Sequence, residues 1–174
     1  MFRSVRILVL LLVFSLIGIG FTVTSAQETT PEPDLAANKA LVEQFVAVLN
    51  SHDLSGLDAL LSADFVEHDP FIANPPPGPD GFKVIAQALL TAFPDVNVHV
   101  DLVIAEGDLV ATRHSVTATQ TGPFNGVPAS GKEVTWTENH IFRIADGKIV
   151  EHWAELDTLN VLTQIGAIPA PASK

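Results

Sequence analysis

The chain of 174 residues contains no cysteine. That excludes disulfides, thiolate metal sites, a cysteine nucleophile and a lipidated N-terminal cysteine. Positive charge is scarce as well: 9 Lys and Arg stand against 20 Asp and Glu, for a formal net charge of −11. Arg3 and Arg6 belong to the first 26 residues, so the remainder holds 7 basic and 20 acidic side chains. Such a surface is a poor partner for nucleic acid or an anionic membrane. Tight metal-ligand spacing is missing too. His68, His140, His152 and Asp157 are of ligand type, but no His-x-x-x-His occurs, so neither a metal nor another cofactor is expected.

What is present begins with an apolar N-terminus. Arg3 and Arg6 precede an uncharged run over residues 7–21, and Thr24, Ser25 and Ala26 supply small residues after it. This is the layout of a secretory signal peptide over residues 1–26. The run is about 15 residues, short of the roughly 20 that a membrane span needs, so no stable span remains after cleavage. An uncleaved N-terminal anchor is the alternative. In both cases the folded part is exported, to a periplasm or to the medium. Residues 27–34 are polar and Pro-rich and read as a linker, and 169–174 form a Pro/Ala tail.

Between them, residues 35–168 read as one domain, helices first and strands later. Asp34 can cap a helix running to about Asn50, with Leu41, Val42, Phe45, Val48 and Leu49 on one face. A short helix follows near residues 57–61, then a brief extended piece over 64–69. The Pro-rich stretch 74–79 is a loop. A helix starts near Asp80, with Phe82, Ile85, Leu89 and Phe93 on one face. After Pro94 the period changes to two. Strands are expected over 96–102, 109–119, 133–144 and 148–156, with a closing helix over 158–165. Helices followed by hairpin-linked strands argue an α+β fold: a strongly curved antiparallel sheet, packed against N-terminal helices, with an interior pocket.

Alternation along residues 133–144 puts Val134, Trp136, Glu138, His140, Phe142 and Ile144 on one side. Glu138 and His140 are thus titratable groups on an apolar face, where desolvation moves pKa values toward neutrality. His140 is either a pocket acid/base or a hydrogen-bonded core histidine. Trp136, Phe142 and Trp153 offer aromatic wall. Asp157, before Thr158, is either a helix cap or a functional carboxylate. His99 and His114 read as strand residues without a catalytic role.

Several motifs carry a resemblance in order along the chain. They are His68-Asp69-Pro70, Gly81-Phe82-Lys83, Ala92-Phe93-Pro94-Asp95, Thr121-Gly122-Pro123-Phe124, Trp136-Thr137, Ile141-Phe142-Arg143-Ile144, the run from Asp146 to Trp153, and Asp157. Over about residues 36–169 the chain resembles the SnoaL-like polyketide cyclases, also called ester cyclases, of the nuclear-transport-factor-2-like superfamily. The resemblance implies a cone-shaped α+β barrel with an interior pocket, often dimeric, and cofactor-free chemistry. A base takes a proton alpha to a carbonyl, the enolate closes a ring on a second carbonyl, and an acid returns the proton. It also implies that Asp157 carries the proton and that His68 and His140 assist; Asp69, Trp136, Glu138, Phe142 and Trp153 are the residues expected to line the ligand site. His68 and Asp69 can equally organise a turn. Two features depart from the pattern: the export signal, and the loops around Gln120 and Ser130. Three readings follow: a cyclase or isomerase acting on a small carbonyl or ester compound, an exported binding protein for a small apolar molecule, and a dimerising scaffold.

Overall fold

The computed structural model describes residues 34–69 and 71–169. The expected signal, most of the linker and the end of the tail lie outside them. Helix α1, Leu35–Ser51, starts where Asp34 accepts the backbone N–H groups of Ala36 and Ala37 at 3.1 and 3.0 Å. It ends at His52, in the left-handed conformation, and buries Val42, Phe45 and Val46. A 3-10 turn, Leu54–Gly56, leads into the one-turn helix α2, Leu57–Leu60, and strand β1, Leu61–Glu67. Helix α3, Gly78–Ala92, begins inside the stretch expected as loop: Gly78 and Pro79 form its first turn, where a missing proline N–H is harmless. Strands β2 (Asn97–Glu106), β3 (Leu109–Thr119), β4 (Glu133–Ala145) and β5 (Lys148–Leu156) follow, then helix α4, Thr158–Ile165.

The five strands form one sheet in the order β1-β5-β4-β3-β2. Strands β2 to β5 are antiparallel neighbours, but β1 adds to the free edge of β5 in parallel. The sheet is therefore mixed rather than wholly antiparallel, because the chain must pass through α3, β2, β3 and β4 before β1 finds its partner. Register irregularities interrupt three of the pairings, between Leu61 and Val66, Val100 and Leu102, and Arg143 and Ile144. Bulges of this kind bend and twist a sheet. The result is open and curved, and not closed into a barrel.

The buried face of this sheet, α1 and α3 share one apolar cluster, built on Phe45, Phe82, Val110, Phe142 and Ile149. A second cluster joins Phe93, Val116, Val134 and Trp136 to Val161 and Ile165 of α4. The Gln120 loop has its own fastening. The buried Gln120 side chain donates to the carbonyls of Gly122 and Pro128 at 3.1 and 3.2 Å and accepts from Ser130 N–H at 3.1 Å. Phe142 is fully buried, edge-on to Phe45 at 5.3 Å between ring centres. It serves the core and does not line the cavity described below. Phe142→Ala should cost about 3–5 kcal/mol. A urea midpoint shift read by circular dichroism checks this, and a change under 1 kcal/mol would contradict the packing.

Candidate functional site

The concave side of the sheet holds a narrow cavity of about 80 Å³. Its walls are mostly apolar: Phe45 and Leu49 of α1, Phe82, Ile85 and Leu89 of α3, and Val98 and Val116 of the sheet. Five titratable side chains from four elements break this lining, namely Glu67, His114, Glu138, His140 and His152, and Asp69 stands at the edge. Among the described residues no Lys or Arg lines it.

Four of these side chains form a continuous row. Glu67 Oε2 lies 2.6 Å from His152 Nδ1, His152 Nε2 lies 2.9 Å from His140 Nδ1, and His140 Nε2 lies 2.9 Å from Glu138 Oε2. Trp136 closes the end by donating its indole N–H to Glu138 Oε1 at 2.7 Å. The strands explain the assembly. His140 faces Ala154 and Phe142 faces His152 across β4 and β5, and Glu67 pairs with His152 in the parallel register of β1. A bulge that leaves Val150 unopposed lets both Ile149 and His152 turn inward, although they are three residues apart.

The row has a fixed proton requirement. Each of its three contacts needs one hydrogen between two acceptor-capable atoms. Two neutral imidazoles bring only two hydrogens. The third is an extra proton, held by an imidazole or by a carboxyl group, so the row as a unit holds one proton more than neutral rings and ionised carboxylates. Burial pushes the His152 pKa down, and Glu67 only partly opposes it, so His152 is neutral near pH 7. Burial pushes Glu138 up, but the hydrogen bond and charge of His140 and the Trp136 N–H outweigh it, and Glu138 is held below the usual carboxylate range. With His152 neutral and Glu138 ionised, the three contacts are completed by a hydrogen on His140 or on the Glu67 carboxyl group.

His114 completes the site. It pairs in register with Glu138, its ring centre is 4.5 Å from that of His140, and its buried Nε2 has no hydrogen-bond partner. Burial first, and the neighbouring His140 second, bring its pKa down to about 4. His114 is a strand residue, as expected, and in the structure it also lines the cavity. With Glu138 and His140 it also offers three ligand-type atoms within 4.8 Å of one another. Sequence spacing missed this group because the pairing of β3 with β4 creates it. In the structure Glu138 and His140 are already bonded to each other.

Among the expected site residues, His140, Glu138 and Asp69 line the cavity and Trp136 braces it. His68 and Trp153 do not. They stack at 4.3 Å on the opposite side of the sheet, where His68 bonds Glu151 at 2.8 Å. Arg143 ties the same Glu151 to Asp108, at 2.8 and 2.7 Å. Asp157 is exposed at the start of α4, where its carboxylate accepts Asn160 N–H at 3.1 Å, and it is not among the cavity walls. Of its two readings the structure displays the helix cap. Glu67 and His152 were missed. Counting by twos from the buried Phe65 reaches Glu67, whereas the His68-Asp69-Pro70 motif drew attention one residue too far.

A bent sheet closed over by helices, with an apolar cavity and an internal acid–base row, defines a small-molecule protein of the α+β cone type. The SnoaL-like polyketide cyclase family model matches residues 39–165, and the chain belongs to that family. It is 29% identical over 108 residues to the aklanonic acid methyl ester cyclase DnrD of Streptomyces peucetius, covering 61% of this chain and 71% of that one. Its fold is similar to TsrD from Streptomyces laurentii, with TM-score 0.71 and 31% identity over 79% of this chain and 100% of the other. It is also similar to AclR from Streptomyces galilaeus, with TM-score 0.69 and 36% identity over 79% and 86% of the two chains.

The buried histidines link stability to pH. Between about pH 4 and 6.5 an unfolded His114 is protonated while the folded one stays neutral. The unfolded state then binds more protons, so stability is lost as pH falls from 6.5 toward 4, by up to about 3 kcal/mol. His152 acts in the same direction. Urea midpoints at pH 7, 5.5 and 4.5 should fall in that order, and less steeply for His114→Leu. Equal slopes for variant and wild type would contradict the buried neutral His114.

Proposed function

We propose that the domain is a cofactor-free acid/base enzyme of the cyclase or isomerase type, acting on a small, uncharged carbonyl or ester compound. Membership of a cyclase family supports the reaction type. The single observation that carries the reading is the hydrogen-bonded row of Glu67, His152, His140 and Glu138, which opens onto an apolar cavity. Glu138 takes the proton alpha to the substrate carbonyl. His140 stays beside it, and the row's extra proton offsets the negative charge developing on the enolate. The enolate carbon then bonds to a second carbonyl carbon, and the C=O electron pair becomes an alkoxide. Glu138 returns the proton to that oxygen, and the row recovers its starting count. Glu67 and His152 hold the His140 ring in place.

Export belongs to the same proposal and is supported by Arg3, Arg6, the apolar run over 7–21 and the small residues at 24–26. N-terminal sequencing of native protein from outside the cytoplasm should begin near Gln27. Cytoplasmic protein with residues 1–26 intact would contradict export.

The chemistry can be read without knowing the natural substrate. Purified domain in D2O is mixed with a panel of neutral ketones and ketoesters, and exchange of the alpha protons is followed by proton NMR. Wild type should accelerate exchange of at least one compound. Glu138→Gln should lower that rate by about 10²–10⁴-fold. Asp157→Ala should keep the rate while losing about 1 kcal/mol of stability with the cap. A rate lost with Asp157 and kept in Glu138→Gln would move the chemistry to Asp157. Binding of a panel compound with no exchange would favour a binding protein.

A further inference from the structure

His114 is the one histidine among the described residues that lines the cavity outside the hydrogen-bonded row. Its residue is 3% exposed, and its Nε2 is buried with no partner. Leaving a buried polar atom unpaired is costly, and folding can avoid it by placing valine or leucine there. The surroundings show what would relieve it. His114 lines the same space as Phe45, Leu49, Val98 and Val116, beside the Glu138–His140 pair. No neighbouring protein atom satisfies it, so the missing partner comes from a molecule in the cavity. Glu67, Asp69 and Glu138 line the same space; the row's extra proton offsets one of them, and among the described residues no Lys or Arg offsets the rest. A carboxylate or phosphate entering there meets like charge in a medium that screens it poorly. An uncharged molecule with an exposed oxygen acceptor meets a free N–H and apolar walls.

We propose that His114, through Nε2–H, donates a hydrogen bond to the carbonyl oxygen of an uncharged ketone or ester seated in the cavity, and that this bond selects such compounds over their carboxylate counterparts. His114 is neutral near pH 7, so one ring N–H is available, and no protein atom among the described residues pairs with Nε2. Calling that oxygen the reacting one rests on the acid/base reading above; the binding itself does not. The carbonyl so held lies beside Glu138, which faces His114 across β3 and β4, and an adjacent alpha proton then falls within reach of that carboxylate.

Acetophenone is the probe, with benzoate as its anionic counterpart. The carbonyl stretch of acetophenone is followed by infrared difference spectroscopy as it binds the purified domain, and affinities come from calorimetry. In wild type the bound carbonyl band should move to lower wavenumber, and benzoate should bind at least about tenfold more weakly. His114→Leu should bind acetophenone without the band shift, and His114→Gln, which restores a donor, should recover it. Glu138→Gln should keep the shift while losing proton exchange, which separates failure of this proposal from failure of the acid/base reading. Unmodified protein supplies a measurement that needs no variant: the ¹⁵N resonance of His114 Nε2 should respond to acetophenone. An unshifted band in wild type, a shift that persists in His114→Leu, a silent His114 resonance, or benzoate binding as tightly as acetophenone would each overturn the proposal.

Discussion

Buried charge must be paired, and in this protein that constraint is met by one row of side chains. Glu67, His152, His140 and Glu138 lie deep in an apolar interior, where an isolated carboxylate or imidazolium would be untenable. They are stable together because each contact supplies one hydrogen to one lone pair. The arrangement fixes much of the architecture around it. It needs β1, β5 and β4 side by side in that order, with β1 in parallel register, and it needs the bulge that turns His152 inward. The phenylalanines of α1, α3 and β4 pack against the His152 ring and keep the row dry, with ring centres at 6.0, 5.7 and 4.7 Å.

The two faces of the sheet carry similar side chains with different consequences. On the outer face, His68, Glu151, Arg143 and Asp108 form a network at comparable distances, with Trp153 stacked on His68. Those groups are substantially open to solvent, so water screens them and the pairs contribute little. On the inner face acids and histidines are largely buried, and water screens them far less. Chemistry follows burial here, more than it follows the motif that first draws the eye.

Much of the fold was legible along the chain. Asp34 marked the first helix, the change of period after Pro94 marked the strands, and alternation along β4 placed Glu138 and His140 on the apolar side correctly. What local pattern could not supply was pairing between distant segments. The parallel addition of β1 to β5 is invisible to hairpin logic, so Glu67 was passed over for His68. A period of two broken by a bulge left the inward face of β5 undecided, and His152 with it. His114 looked like an ordinary strand residue because its neighbours Glu138 and His140 arrive from another strand. Asp157 shows the reverse case: the residue type suited both a cap and an acid, and its place at the open end of α4 provides the cap.

The central claim is that the row holds one extra proton at neutral pH. Histidine ¹⁵N NMR of the purified domain near pH 7 counts ring hydrogens directly. Three N–H groups on His140 and His152 together, or two with one carboxyl group of the row protonated, are predicted. Two neutral rings carrying one hydrogen each, with both carboxyl groups ionised, would leave one of the three contacts without a proton and would contradict the account.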